Sequence, residues 1–235
     1  MQMKSIHDEQ LLKSKPVLYD HIKKLITDTA EIMFKKNDFN AISMSDLASV
    51  AGISEKTIYE YFVSKAELVD YVISKQIAIK EKELAKRVRL ARNPIHEAFI
   101  AWHIIDEFVQ RYNFNSLLQI QKSFQQAFEK IMAFKNEFLF QLFKSNVDRG
   151  ITDGLYRNTI KSDIISRHMV DISFMPGNSK DLSRAGHSLM GLDNQLLTYH
   201  LHGLATEKGV SLIRRYKNEA LAQNCKYLDS FTFHS

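Results

Sequence analysis

One cysteine, Cys225, stands among 235 residues. A lone thiol forms no internal disulfide, and this usage fits a reducing, cytoplasmic setting. Three prolines and eight glycines are few for this length. That scarcity, with no pairable strand patterns, no repeat and no low-complexity tract, predicts an all-α protein. No apolar run approaches 18 residues, so no membrane-spanning helix is expected. Met1 to Lys15 is polar and charged, unlike a secretory leader. Arginine is missing from the first part of the chain: residues 1–80 hold 11 lysines against 11 aspartates plus glutamates, and Arg87 is the first arginine. The whole chain carries +5. This permits nucleic-acid binding but leaves the N-terminal segment neutral, so any affinity for DNA must come from local placement of lysines.

The most informative stretch is residues 43–68. Ser43 followed three residues later by Asp46 is a capping box that opens a helix with Leu47, Ala48 and Ala51 inward. Gly52 stands where a left-handed residue must end that helix. Ile53 enters the core between two helices. Ser54 caps the next helix, buried through Ile58 and Phe62, and Glu55, Lys56, Thr57, Tyr59 and Tyr61 face outward. Ser64 with Glu67 opens a third helix, buried through Leu68 and Val72. Two short helices joined by a glycine turn form a helix-turn-helix, which lays one exposed helix in the DNA major groove.

Asp46-Leu47-Ala48, Ala51-Gly52-Ile53-Ser54, Thr57-Ile58-Tyr59, Tyr61-Phe62, Ser64-Lys65 and Leu68 closely resemble the DNA-binding domain of TetR-family transcriptional regulators. The resemblance reaches back through residues 18–42 and covers roughly the first third of the chain. It implies that Ser54 to Tyr61 is the recognition helix. Lys56 and Thr57 would face base edges or the nearest phosphates, and Tyr59 and Tyr61 would bond phosphates. Ser43 and Lys65, at two helix N-termini, would clamp the backbone on either side. Glu55-Lys56 departs from the small residues often found there in the family. Glu55 either accepts from a cytosine amino group or repels phosphate. Without an arginine, the common bidentate contact to guanine is absent, so readout falls to Lys, Thr, Tyr and DNA shape.

The expected organisation is a flexible arm over 1–15, a helix-turn-helix domain over 16–75, and a helical effector-binding and dimerisation domain over 76–235. Pro16 is read as the start of the first helix. A long helix, 64–90, joins the two domains. Asn93-Pro94 caps a helix over 94–111; others follow near 115–123, from Gln125 to Arg149 with Gly150 as the stop, over 161–174, 188–206 and 208–222, with 175–184 as a loop. Residues 114–143 are rich in phenylalanine. Phe138, Phe140 and Phe143 cannot share one helix face, a surplus that points to a cavity or a dimer surface.

By the same resemblance, a small, largely apolar ligand would sit in the second domain, near Trp102, His103, Asp106, Phe114, Phe124 and Phe128. Two protomers would pair through the last long helices, with Ile165, Met169, Ile172, Leu192, Leu196 and Tyr199 in the seam. His103 and Glu107 share a helix face, but two ligands make an incomplete metal site. His200 and His202 diverge. Lys82, Lys86, Arg87, Arg89 and Arg92 read as a solvated face. Gly186-His187-Ser188-Leu189-Met190 lacks the second glycine and the preceding strand of a nucleophile elbow. No phosphate loop, paired-cysteine motif or zinc-protease signature occurs, so no enzyme activity, metal or cofactor is expected. The reading is a homodimeric regulator, a repressor acting on a near-palindromic operator. The competing classes are a DNA-binding dimer without an effector and a helical enzyme.

Overall fold

A computed structural model describes residues 3–36, 38–111, 114–174 and 189–218; for 3–17, 36, 110, 111, 114, 115, 189–194 it describes the backbone only. These residues form helices α1 (Met3–Lys36), α2 (Met44–Ala51), α3 (Glu55–Tyr61), α4 (Lys65–Val88), α5 (Pro94–Arg111), α6 (Phe114–Ser123), α7 (Gln125–Ala133), α8 (Phe140–Thr152), α9 (Ser162–Ser173) and α10 (Leu189–Leu204). Residues 207–218 add α11. A 3-10 turn covers Phe39–Ala41. The only pairing of extended backbone among the described residues is an isolated bridge between Tyr156 and Ala205.

Two expectations at helix ends are corrected. Pro16 does not open the first helix: α1 starts at Met3 and carries Pro16 inside it. Proline removes one ladder hydrogen bond, but its fixed φ is helical, and Glu9, Gln10, Leu11, Leu12 and Lys13 before it are good helix formers. Gly150 does not stop the long helix either. α8 runs on to Thr152, and the left-handed residue is Gly154, at φ 67°. The run that the sequence presents as one helix is interrupted by a π-helical turn over Phe134–Leu139. The loop expected at 175–184 and Cys225 lie outside the described residues.

The described contacts divide the chain into two compact units. The first is Met1–Gln76 together with Asn115–Lys130; the second is Ile77–Phe114 together with Ile131–Ser235. In the first unit Ile26, Ala30, Phe34, Phe39, Ile42, Leu47, Ile58, Phe62, Leu68 and Val69 are buried. Phe34 stacks on Phe39, ring centres 4.7 Å apart, and Phe39 meets Phe124 at 6.2 Å. Lys130 donates to Asp70 Oδ2 at 2.7 Å and to Ser74 Oγ at 2.9 Å. Sequence spacing gives no sign that Asn115–Lys130 belongs to this unit, because the partners lie 56 and 60 residues away.

In the second unit Ile95, Trp102, Ile105, Phe108, Phe134, Phe143, Val147, Met169 and Leu201 are buried. A polar knot sits among them. Asn146 Nδ2 donates to the Pro94 carbonyl at 2.8 Å, and the Tyr156 hydroxyl donates to Asn146 Oδ1 at 3.2 Å. Arg149 pairs with the buried Glu97. Burial holds the Tyr156 phenol far above its ordinary range. Asn93 caps α5 as its spacing requires, its Oδ1 accepting from the His96 N–H at 3.0 Å.

His168 on α9 and His200 on α10 bring their ring centres within 5.2 Å. Burial, then His168, depresses the His200 pKa from 6.5 to about 4. The native state therefore resists a proton that the unfolded chain accepts. The stability due to the neutral ring is complete above pH 6.5 and is lost as pH falls from 6.5 towards about 4. The melting temperature should thus fall more steeply across that window in the natural chain than in His200→Leu. Parallel pH profiles would refute the assignment.

Candidate nucleic-acid interface

The helix-turn-helix is built by its caps. The Asp46 N–H donates to Ser43 Oγ at 3.0 Å, and the Ser43 N–H donates to Asp46 Oδ2 at 2.8 Å. This closes the capping box. Hydrogen bonds from the Ser43 side chain and backbone hold the Asp46 carboxyl below its ordinary range. Gly52 ends α2 at φ 68°, with its N–H on the Ala48 and Ser49 carbonyls. A side chain there would be strained by its Cβ. Ser54 Oγ accepts from the Thr57 N–H at 3.0 Å, and its hydroxyl meets the Thr57 hydroxyl at 2.7 Å. Ser64 Oγ accepts from the Glu67 N–H at 3.2 Å. Glu67 reaches one residue further back than expected, taking the Val63 N–H at 2.7 Å.

These caps leave α3 short and anchored through Ile58, which is wholly buried. Glu55, Lys56 and Tyr59 are exposed, Tyr59 at 45%. Thr57 and Tyr61 are half-buried. Thr57 is turned back to Ser54 by its hydroxyl contact. Tyr61 lies against Tyr19 of α1, ring centres 4.5 Å apart. Desolvation first, then Tyr19 and Glu60, raises the Tyr61 phenol above its ordinary value. Lys65 is also tethered. Its Nζ donates to the Asn40 carbonyl at 3.5 Å and lies 5.8 Å from the centre of the Phe124 ring. Partial burial lowers its pKa, against the pull of Asp46. Lys23 sits 4.4 Å from the centre of the Tyr71 ring and 5.6 Å from that of Phe62, bracing the end of α3. Tyr19, Lys23 and Asn40 were missed from sequence because they come from α1 and the following turn.

The residues first gathered around a ligand separate. Phe124 and Phe128 belong to the N-terminal unit, where Phe124 is buried against Phe39. Phe124 is core of that unit, and Phe128 is half-buried in it. The Phe114 side chain lies outside the described residues. Trp102 is buried in the second unit. His103 Nε2 lies 3.5 Å from Glu107 Oε1, as their spacing predicts. Glu107 also accepts from the buried Lys80 at 2.7 Å, and Lys80 donates to Glu83 at 2.9 Å. Asp106 is half-buried on the same helix. An open groove of about 560 Å³ is lined by Asn136, Glu137, Phe138, Gln141 and Leu142, beside the π turn.

The residues first placed in a dimer seam also divide. Met169 is wholly buried within its own unit and is core. Ile165 and Ile172 are half-buried. Leu196 is 42% exposed, Tyr199 81%, and Ile164 62%. The Leu192 side chain lies outside the described residues. Lys82, Lys86, Arg89 and Arg92 are exposed, as read from sequence, while Arg87 pairs with Glu83 at 3.1 Å.

Residues 26–72 match the family model described as bacterial regulatory proteins, tetR family. No curated protein matches the chain at a significant level. Among solved structures, the ketosteroid transcriptional regulator KstR2 of Mycobacterium tuberculosis is 21% identical over 79% of this chain and 95% of its own, with a TM-score of 0.59. A TetR-family regulator from Agrobacterium tumefaciens is 15% identical over 80% of this chain and 100% of its own, TM-score 0.64. FadR of Bacillus subtilis, in complex with stearoyl-CoA, is 15% identical over 77% of this chain and 98% of its own, TM-score 0.59. A capped helix-turn-helix followed by a larger helical unit is the fold this chain shares with these regulators. Residues 26–72 are thus a DNA-binding domain of the tetR type. Among the described residues, no helix is long and apolar enough to cross a membrane.

Proposed function

We propose that the chain is a homodimeric cytoplasmic repressor that binds a near-palindromic operator and leaves it when a small, largely apolar ligand occupies the second unit. The observation that carries this reading is α3: a short helix capped by Ser54 and seated by Ile58, with Lys56 and Tyr59 turned to solvent. Ser43, Ser54, Glu55, Thr57, Tyr61 and Lys65 surround it as further candidate contacts. Their internal bonds make Thr57, Tyr61 and Lys65 supports of the interface as much as parts of it. The exposed Ile164, Leu196 and Tyr199, with the half-buried Ile165 and Ile172, support pairing through α9 and α10. A two-fold pair presents its recognition helices one DNA turn apart, about 34–36 Å. The regulators named for ketosteroid and seen with stearoyl-CoA support an apolar effector. Trp102, His103 and Asp106 on α5 remain candidates to meet it. Such a ligand must bind the DNA-free form more tightly than the DNA-bound form.

The test is fluorescence anisotropy of the purified chain on DNA from around its own gene, over a salt series with non-specific competitor. Saturable, competitor-resistant binding by two protomers is expected. Tyr59→Phe removes one phosphate hydrogen bond per half-site. It should weaken all DNA sequences alike, by about 1 kcal/mol per half-site. Unchanged binding by Tyr59→Phe in a folded protein would mean that α3 faces the DNA differently. Failure to bind any fragment in a genome-wide selection would sink the proposal.

A further inference from the structure

α1 carries an apolar seam beside its core face. Leu18, Ile22, Leu25, Thr29 and Ile32 recur at alternating spacings of four and three residues. That is the spacing of a helix that packs along another helix. The core face of α1 lies to one side of it, at Ile26, Ala30 and Phe34, all buried. The seam itself stays open: Leu18 is 59% exposed, Leu25 37% and Ile32 58%, with Ile22 and Thr29 half-buried. Single exposed aliphatic residues are ordinary, whereas three in line on one helix form a patch that invites a partner. One residue on from Ile32, Met33 lines an open groove of about 360 Å³ with Ala41, Ile42, Asp46, Ser49 and Val50. Val50 is 64% exposed, so the apolar surface extends onto α2.

The charges beside the seam choose its partner. His21 and Asp28 lie seven residues apart along its outer flank, and Ile26 and Met33 form the inner flank. Two copies of α1 laid antiparallel about Leu25 set Leu25 against Leu25 and Leu18 against Ile32. Their two-fold axis brings like flanks together, so His21 of each copy meets Asp28 of the other. Asp28 already accepts from Lys24 at 3.1 Å and Lys75 at 2.8 Å. A carboxylate takes about four donors, so a further one fits. In a parallel pair the outer flank faces the inner one, and neither His21 nor Asp28 gains a charged partner. We propose that α1 pairs antiparallel with α1 of a second copy of this chain. The exposed parts of the seam come to far less than the about 800 Å² a side of a stable interface. The contact is therefore weak in free solution and gains where two copies are held close, as on neighbouring DNA sites.

The experiment is oxidative cross-linking of the full chain in a Cys225→Ser background, which has no other thiol. Leu25→Cys should link to its own copy and give a species of twice the chain mass on a non-reducing gel. Ile32→Cys alone should not. Seven residues of helix, about 10.5 Å, separate it from the centre, so two such thiols lie about 21 Å apart, and a disulfide spans Cα atoms no more than about 7 Å apart. Leu18→Cys chains mixed with Ile32→Cys chains should link to each other. Lys24→Cys, at a side chain 74% exposed on another face of α1, reports random collisions. His21→Glu should slow the Leu25→Cys link, because carboxylates then face each other. The replaced side chains are exposed, so melting temperatures should stay equal. Equal rates for Leu25→Cys and Lys24→Cys, self-linking by Ile32→Cys, or a rate indifferent to His21→Glu would overturn the pairing.

Discussion

Gly150→Ala should lower the melting temperature by about 4–8 °C, although alanine is the better helix former. The added Cβ would lie 2.9 Å from Cγ of Tyr156, and nearer still to Cδ2 and Cε2. The ring cannot retreat. It is buried, its hydroxyl is held by Asn146 and reaches the Pro94 carbonyl at 3.5 Å, and its own N–H donates to the Gly150 carbonyl at 2.9 Å. The same carbonyl takes the Leu155 N–H at 2.8 Å, so the backbone of Gly150 is fixed too. Helix propensity returns about 1 kcal/mol on Gly→Ala. Overpacking against a fixed ring costs about 3 kcal/mol or more, and it wins. Tyr156→Leu in the same chain should recover part of the loss, because it removes the atoms that clash. A thermal melt of the two single variants and the double measures that coupling. Additive losses would show that Gly150 and Tyr156 do not oppose each other.

Lys56→Glu should cut operator affinity by roughly a thousandfold, on the proposed dimer. Losing a lysine contact to a phosphate or base and placing an anion there costs about 2 kcal/mol per half-site. Two-fold symmetry doubles this to about 4 kcal/mol, or nearly three powers of ten. The side chain is exposed at the first turn of α3, so the fold should be untouched. Equal melting temperatures with lost anisotropy at low salt would support the placement of α3. Retained binding would remove Lys56 from the interface. Lys65→Glu is a poorer probe. That lysine is half-buried over Phe124 and bonded to Asn40, so its loss disturbs packing as well as charge.

The helix-turn-helix was legible from the sequence because its determinants are local. Ser43 with Asp46, Gly52, and Ser54 each act on backbone groups within four residues, and chain spacing alone states those relations. The inward residues Leu47, Ile58, Phe62 and Leu68 follow from the helical period. Helix ends proved harder where a distant ring decided them. Gly150 looks like a stop in one dimension, and only Tyr156 folding back over it turns it into a packing site. Pro16 looks like a start, yet its fixed φ lets α1 pass through.

Lateral relations belong to tertiary structure alone. Phe124 and Phe128 read as cavity aromatics because aromatics near a predicted ligand domain suggest a lining. Which unit they join depends on Phe39, 85 residues upstream of Phe124 by numbering. Met169 reads as a seam residue because its helix is amphipathic, but period cannot distinguish a core face from a partner face. Tyr19 beside Tyr61, Lys80 between Glu83 and Glu107, and His168 beside His200 join different helices, and helical period says nothing about which helices meet. By itself, the sequence determined the caps, the period and the exposed reading helix, because these depend on neighbours a turn away. The tertiary structure decided which polar groups are buried, which aromatics are core and which histidines meet, because these depend on how helices pack across tens of residues of intervening chain.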